Sequence, residues 1–450
     1  MKRYGILLGC SIAALAGTAW AGTNDTFLIR DVDVYPVTAK EMKGVSVLIQ
    51  DGKIAEIAAK IVAPKGMRIL DGKGLRVYPG MIDSATNLGL AEISSVRESV
   101  DTGELGDFMP QLRALVAVNP ESEHFGAVRV NGITSAITLP GGGGGGGGRG
   151  GGRAQSISGQ AALIHTSGFT WEEMEISRSA AVQLTFPSMG GRGGRGGGGV
   201  PPEVADLFGE AGAAAGGANA RRNYEDTISR INQFFDSARQ YKATKAAKPA
   251  GFVPDLKLEA MIPVLDGKTP LAVSASQADA IHDAIQFADK QHVKIVIMGP
   301  RELGNVGPEL KSHNIPVILG RVLALPEHED DSYDAAMALP TQFYKAGVKF
   351  AFGTFTNEFV RNLPFQAAAA VGFGLPADEA LKAVTIYPAE IWGQSDKVGS
   401  VEKGKWADLM ITNGDPLEIQ TKIAHIYIKG KEVELSNKQT RLYDKYMGRQ

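Results

Sequence analysis

The stretch LDGKGLRVYPGMIDSATNLGL, residues 70–90, decides the fold. A strand pair turning around residues 71–74 leads into LRVYPGMID, and there the texture of the chain changes. Just upstream, VSVLIQDGKIAEI (45–57) sets Asp51-Gly52 between two alternating apolar runs. Asp-Gly is a preferred pair for a two-residue hairpin because both positions need positive φ. The same texture returns only in ADLMITNGDPLE (407–418) and IAHIYIKGKEVEL (423–435), around Asn413-Gly414 and Gly430. Strand-rich ends flanking a different middle predict one small β domain assembled from both termini, residues 22–78 and 399–435, with a polar tail at 436–450.

The middle, residues 79–398, alternates short β-branched runs with helical stretches. Candidate strands are ITSAITLP (133–140), AALIHT (161–166), AVQLTFP (181–187), PLAVSAS (270–276), VKIVIMG (293–299), PVILG (316–320) and VKFAFGT (348–354). Helical stretches such as 277–291 and 333–346 lie between several of them, the signature of parallel βα units. Over 224–241, Tyr224, Ile228, Ile231, Phe235, Ala238 and Tyr241 recur at spacings of three and four, which predicts an amphipathic helix with a solvated basic side.

With 450 residues, 47 Lys+Arg against 49 Asp+Glu and 44% hydrophobic residues, the chain suits two or three domains or one large barrel with an appendage. A net charge of -2 gives no electrostatic reason to expect nucleic acid as a partner. Glycine is the outlier at 56, and 11 lie between Gly141 and Gly152 and 8 between Gly190 and Gly199. These tracts, 141–153 and 190–199, follow candidate strands and are expected to be flexible loops at the mouth of a barrel. Their Arg149, Arg153, Arg192 and Arg195 are read as part of a spacer, not an RNA-binding tract.

The chain starts with Lys2 and Arg3, an apolar run to Ala19, and Ala19-Trp20-Ala21, the order of an export signal over residues 1–21. The run is too short to span a bilayer, so no membrane span is expected in the mature chain. The one cysteine, Cys10, sits inside the apolar run, whereas lipoprotein processing needs it at the end. A mature chain without Cys has neither disulfides nor thiolate ligands, and a periplasmic or secreted location is expected.

Three stretches together resemble the amidohydrolase superfamily, in particular its imidazolonepropionase-like and prolidase-like exported branch: VLIQDGKIAEI with LDGKGLRVYPGMIDSATNLGL, then RNLPFQAAAAVGFGLPADEALKAVTIYPAEIWG (361–393), then VGSVEKGKWADLMITNGDPLE (398–418). The resemblance implies an α/β fold, a distorted (β/α)8 TIM barrel over 79–398 plus a small β-sandwich built from the N- and C-terminal segments. It also implies hydrolysis of amide or related C–N bonds by one or two divalent metals at the barrel mouth, where the metal makes hydroxide available and polarises the carbonyl.

The positions that should carry the metal do not suit one. Where the family's first strand reads PGxIDxHxH, this chain reads PGMIDSATNLGL, with Ala85 and Asn87 in the histidine slots. The fifth-strand histidine corresponds to Ser274, the sixth-strand histidine to Gly299 or Met298, and the last-strand aspartate to Phe355. Asp83 stays in place, in a supporting role. Other residues that might line the mouth are His165, the one histidine on a candidate barrel strand, Ser276, and Glu358. The acidic loop LPEHEDDSYD adds Glu327, His328, Glu329, Asp330 and Asp331, a candidate cation site that is more simply read as helix-capping charge. His282, His292, His313 and His425 are expected to face solvent, and His124 has no evident partner.

The leading expectation is therefore a binding or partner subunit that has lost its metal site, associated with a second copy or a catalytic relative, its small-molecule ligand unidentified. No cofactor is expected, and any bound metal would be a divalent ion such as zinc. The alternative is an active hydrolase of amide, cyclic amide or dipeptide bonds with a non-standard site.

Overall fold

The computed structural model describes residues 25–141, 155–188, 202–247, 249–326 and 331–449. The export signal with Cys10, the first glycine tract beyond Gly141, the whole of the second, and Glu327, His328, Glu329 and Asp330 lie outside the described residues.

The first five strands are β1 (Phe27–Val34), β2 (Met42–Gln50), β3 (Lys53–Ala58), β4 (Arg68–Asp71) and β5 (Arg76–Pro79). The Asp51-Gly52 turn joins β2 to β3 with φ of 51° and 75°, as its sequence requires. Eight strands then form the barrel sheet: β6 (Met81–Thr86), β7 (Ile133–Thr138), β8 (Ile157–His165), β9 (Glu175–Thr185), β10 (Leu271–Ser274), β11 (Ile295–Met298), β12 (Val317–Leu319) and β13 (Phe350–Phe352). The chain finishes with β14 (Leu409–Thr412), β15 (Ile423–Ile428) and β16 (Lys431–Val433). β14 to β16 join β1 to β5 in one separate eight-stranded sheet. The two ends meet where β5 pairs antiparallel with β14, Val77 opposite Ile411.

The barrel strands run in sequence order around the sheet, and β10 to β13 are almost wholly buried apolar runs, as strands covered on both faces must be. Their inward residues form one core with Ala161, Leu163, Ala272, Val296, Ile318 and Ala351, while the outward ones pack beneath the helices in another. The terminal sheet has a third core, around Phe27, Ile49, Leu409 and Tyr427.

Two departures from the expected βα repeat stand out. β8 runs antiparallel to both β7 and β9, so AALIHT points back toward the floor of the barrel and not toward its mouth. The amphipathic segment 224–241 is part of one helix, Pro202–Ala247. Its basic side is not simply solvated: Arg230 pairs with Asp107 at 2.5 Å and Arg239 donates to the Gln291 carbonyl at 2.7 Å. The segment read as a polar tail contains a helix, Lys438–Met447. No helix among the described residues is long and apolar enough to cross a membrane.

Candidate functional site

β6 and β13 are the ends of the barrel sheet and share no ladder. Asp83 bridges this seam. Its Oδ1 accepts from Thr354 N and from Ala85 N, each at 3.1 Å, and its Oδ2 accepts from Thr354 Oγ1 at 2.5 Å. Burial pushes its carboxyl up to about 7, against the lowering effect of those donors. A second stitch follows, from Phe355 N to Ala85 O at 2.6 Å. Gly353 is needed here because a Cβ would lie 2.7 Å from that of Ala85.

Of the positions named by the sequence, Ala85, Met298 and Phe355 share one apolar core and the Phe355 ring lies against Gly299. Phe355 is a non-glycine residue with φ of 58°, a left-handed backbone that costs roughly 1–2 kcal/mol. Its ring reaches Gly299 and Gly320, where added Cβ atoms would lie 3.6 Å and 3.8 Å from it. A longer side chain at Gly299 would meet this ring. Ala85, Met298 and Phe355 all belong to the apolar core inside the barrel.

The polar groups at the strand ends are neutral. Ser274 accepts from Gln183 Nε2 at 2.8 Å, while Gln183 Oε1 and Asn87 Oδ1 are buried without a hydrogen-bond partner. Ser276 is half-buried and its carbonyl accepts from Arg301 N. A methyl, two carboxamides, a hydroxyl, a thioether and a phenyl ring do not make a site for a borderline ion such as zinc, whose protein ligands are imidazoles, thiolates and carboxylates. Among the described residues, no group of three or more His, Cys, Asp or Glu is placed to hold a metal.

His165 is a correction to the sequence reading. Because β8 is reversed, its imidazole lies at the end of the barrel away from the mouth, fully buried, with Nε2 donating to Asp408 Oδ2 at 2.8 Å. Asp408 Oδ1 accepts from Lys429 N, so the pair ties a barrel strand to the terminal sheet beside Trp406. Glu358 is also displaced from the mouth's interior: it is exposed and accepts from Ser94 Oγ at 3.0 Å. Asp331 is exposed, as expected of a solvated loop, and the N-cap position of the following helix, Ala335–Ala346, is Asp334. His124 has partners after all, with Nε2 2.9 Å from Glu92 O and 3.0 Å from Asn357 Nδ2. His282, His313 and His425 pair with Glu309, Asp289 and Glu432.

Sequence reasoning missed Gln183, Thr354, Gly320 and Asp408. Gln183 carried a signal, a carboxamide inside the apolar run AVQLTFP; the others had none that one sequence exposes. A cleft of about 620 Å³ lies elsewhere, between residues 35–41 and 378–390, and none of the slot residues lines it.

The nearly closed barrel sheet, the separate sheet built from both ends and the Asp83 seam together define a TIM-barrel fold with an added sheet domain, and the Phe355 ring lies in the barrel's inner apolar core. The comparisons with known proteins agree on the scaffold. A family described as "Amidohydrolase family" matches residues 368–434. The amidohydrolase tasK of Hapsidospora irregularis is 23% identical over 410 residues, covering 85% of this chain, which spans only 39% of that relative's length. An amidohydrolase structure from Thermotoga maritima MSB8 superposes with a TM-score of 0.74 at 26% identity, covering 91% of this chain and 99% of that one. A prolidase solved with N-methylphosphonate-L-proline shares the fold at 16% identity, with a TM-score of 0.50 over 91% of this chain and 99% of its own. The family match, the curated relative and the Thermotoga maritima structure together support the amidohydrolase superfamily as the chain's kin.

Proposed function

We propose that this is an exported amidohydrolase-fold protein that works as a non-catalytic binding or partner subunit, its companion a catalytic relative or a second copy. The observation that carries the reading is the Phe355 ring over Gly299 and Gly320, seated where the family resemblance expects a carboxylate that binds metal and moves a proton. A phenyl ring does neither. Ala85, Asn87 and Ser274 supply no compensating ligand, so the water-activating chemistry of the family has no donor set among the described residues.

A second reading, an active hydrolase of amide, cyclic amide or dipeptide bonds, is favoured by one feature. Asp83 titrates near neutrality, as a general acid or base should. Its carboxyl, however, is fully buried and occupied by Thr354 and Ala85, out of reach of a substrate. The test is to purify the protein, measure bound zinc, manganese and nickel, and assay amide and dipeptide hydrolysis with and without added metal. Less than a tenth of an equivalent of metal and no turnover is expected. Stoichiometric metal with turnover abolished by a chelator refutes the proposal.

A further inference from the structure

The C-terminal helix Lys438–Met447 is built as an independent amphipathic element. Asn437 and Thr440 close a reciprocal capping box at its start, and none of its residues is buried. Leu442, Tyr443, Tyr446 and Met447, at helical spacing, make one apolar stripe, and all four are exposed, Tyr443 at 64% and Tyr446 at 53%. Lys438, Arg441 and Lys445 recur along the other side and Arg449 follows, against a single acid, Asp444. Arg441 anchors the helix by donating to both carboxylate oxygens of Glu123 at 3.0 Å, on the helix Glu123–Arg129. Lys438 and Lys445 have no acidic partner among the described residues. Arg449 stacks over the Tyr446 ring at 4.6 Å, at the edge of the stripe.

We propose that this helix docks the protein on an anionic lipid surface. A preformed helix with a short apolar stripe, interface-seeking tyrosines and a row of cations lies in the plane of a membrane and does not cross it. The lysine and arginine stems run along apolar surface while their charged ends reach phosphate. Charge decides between occupants. A second copy docking through the same face would set one cationic row against another, which disfavours a symmetric dimer.

The test is co-sedimentation of the full chain with vesicles of phosphatidylcholine alone or with 30% phosphatidylglycerol, at low and at 0.5 M salt. Binding to the anionic vesicles that falls with salt is expected, with little on the neutral ones. Lys445→Gln should lower the partition coefficient about fivefold, in line with one cation near an anionic surface. Tyr443→Ser with Tyr446→Ser should lower it further, and circular dichroism confirms that each variant keeps its helix. Lys60→Glu, on an exposed residue elsewhere, should change nothing. Equal binding to neutral vesicles, no binding at low salt, or an unchanged Lys445→Gln variant overturns the proposal. So does a dimer that the tyrosine substitutions dissociate, since the face would then belong to a second copy.

Discussion

Replacing Asp83 with Asn tests the seam at its most constrained atom. The Asp83 carboxyl is fully buried, and its pKa rises from 3.8 to about 7, chiefly by desolvation. Because the folded pKa lies above the unfolded one, ionisation opposes folding: the penalty is absent below about 3.8 and complete above about 7. Three pH units at about 1.4 kcal/mol each amount to roughly 4 kcal/mol. Asn is nearly isosteric. Its Oδ1 keeps both backbone donors, and its Nδ2 faces Thr354 Oγ1, which can accept. Urea unfolding at a series of pH values from 4 to 8.5 should show the variant gaining on the wild type by roughly 4 kcal/mol across that range, most of it between pH 4 and 7. If the two stability curves run parallel, Asp83 is ionised and satisfied throughout, and the picture of a strained seam carboxyl is wrong.

Three further outcomes follow from the same geometry. Phe355→Ala should cost about 3–5 kcal/mol by emptying the mouth, and Phe355→Gly should be about 1 kcal/mol more stable than the alanine variant because glycine relieves the positive φ; denaturant titration ranks them, and the reverse order refutes the strain. His165→Ala should lower stability by about 3–5 kcal/mol through the orphaned Asp408 carboxylate, and a loss below about 1 kcal/mol in urea unfolding would show that the floor pair is not a clasp. Ala85→His combined with Asn87→His should still fail to hold stoichiometric zinc by elemental analysis, because Phe355 continues to fill the mouth; tight zinc in that double variant counts against the plug.

The scaffold was legible because it is written in local signals. Asp51-Gly52 announces its turn through the φ it demands, and the β-branched runs from Leu271 onward announce buried strands. Ala85 and Phe355 could be named from the sequence as chemically inert side chains, and the structure places both in the apolar core inside the barrel. Strand direction was not. AALIHT reads the same in either orientation, so the reversal that carries His165 to the floor left no trace in its alternation. Nor can a sequence announce that Phe355 takes a left-handed backbone, or that His165 finds Asp408 across 243 positions of chain. Those facts depend on contacts that exist only once the barrel has closed.

The pairing of β5 with β14 has a consequence for biosynthesis. A ribosome must make more than three hundred further residues after Val77 before Ile411 arrives to cover it. Until then β5 keeps one edge unpaired, a ready template for the wrong neighbour. Chaperones that hold the nascent chain would find that edge available throughout, and a chain prematurely stopped before Leu409 could never cover it with its own β14.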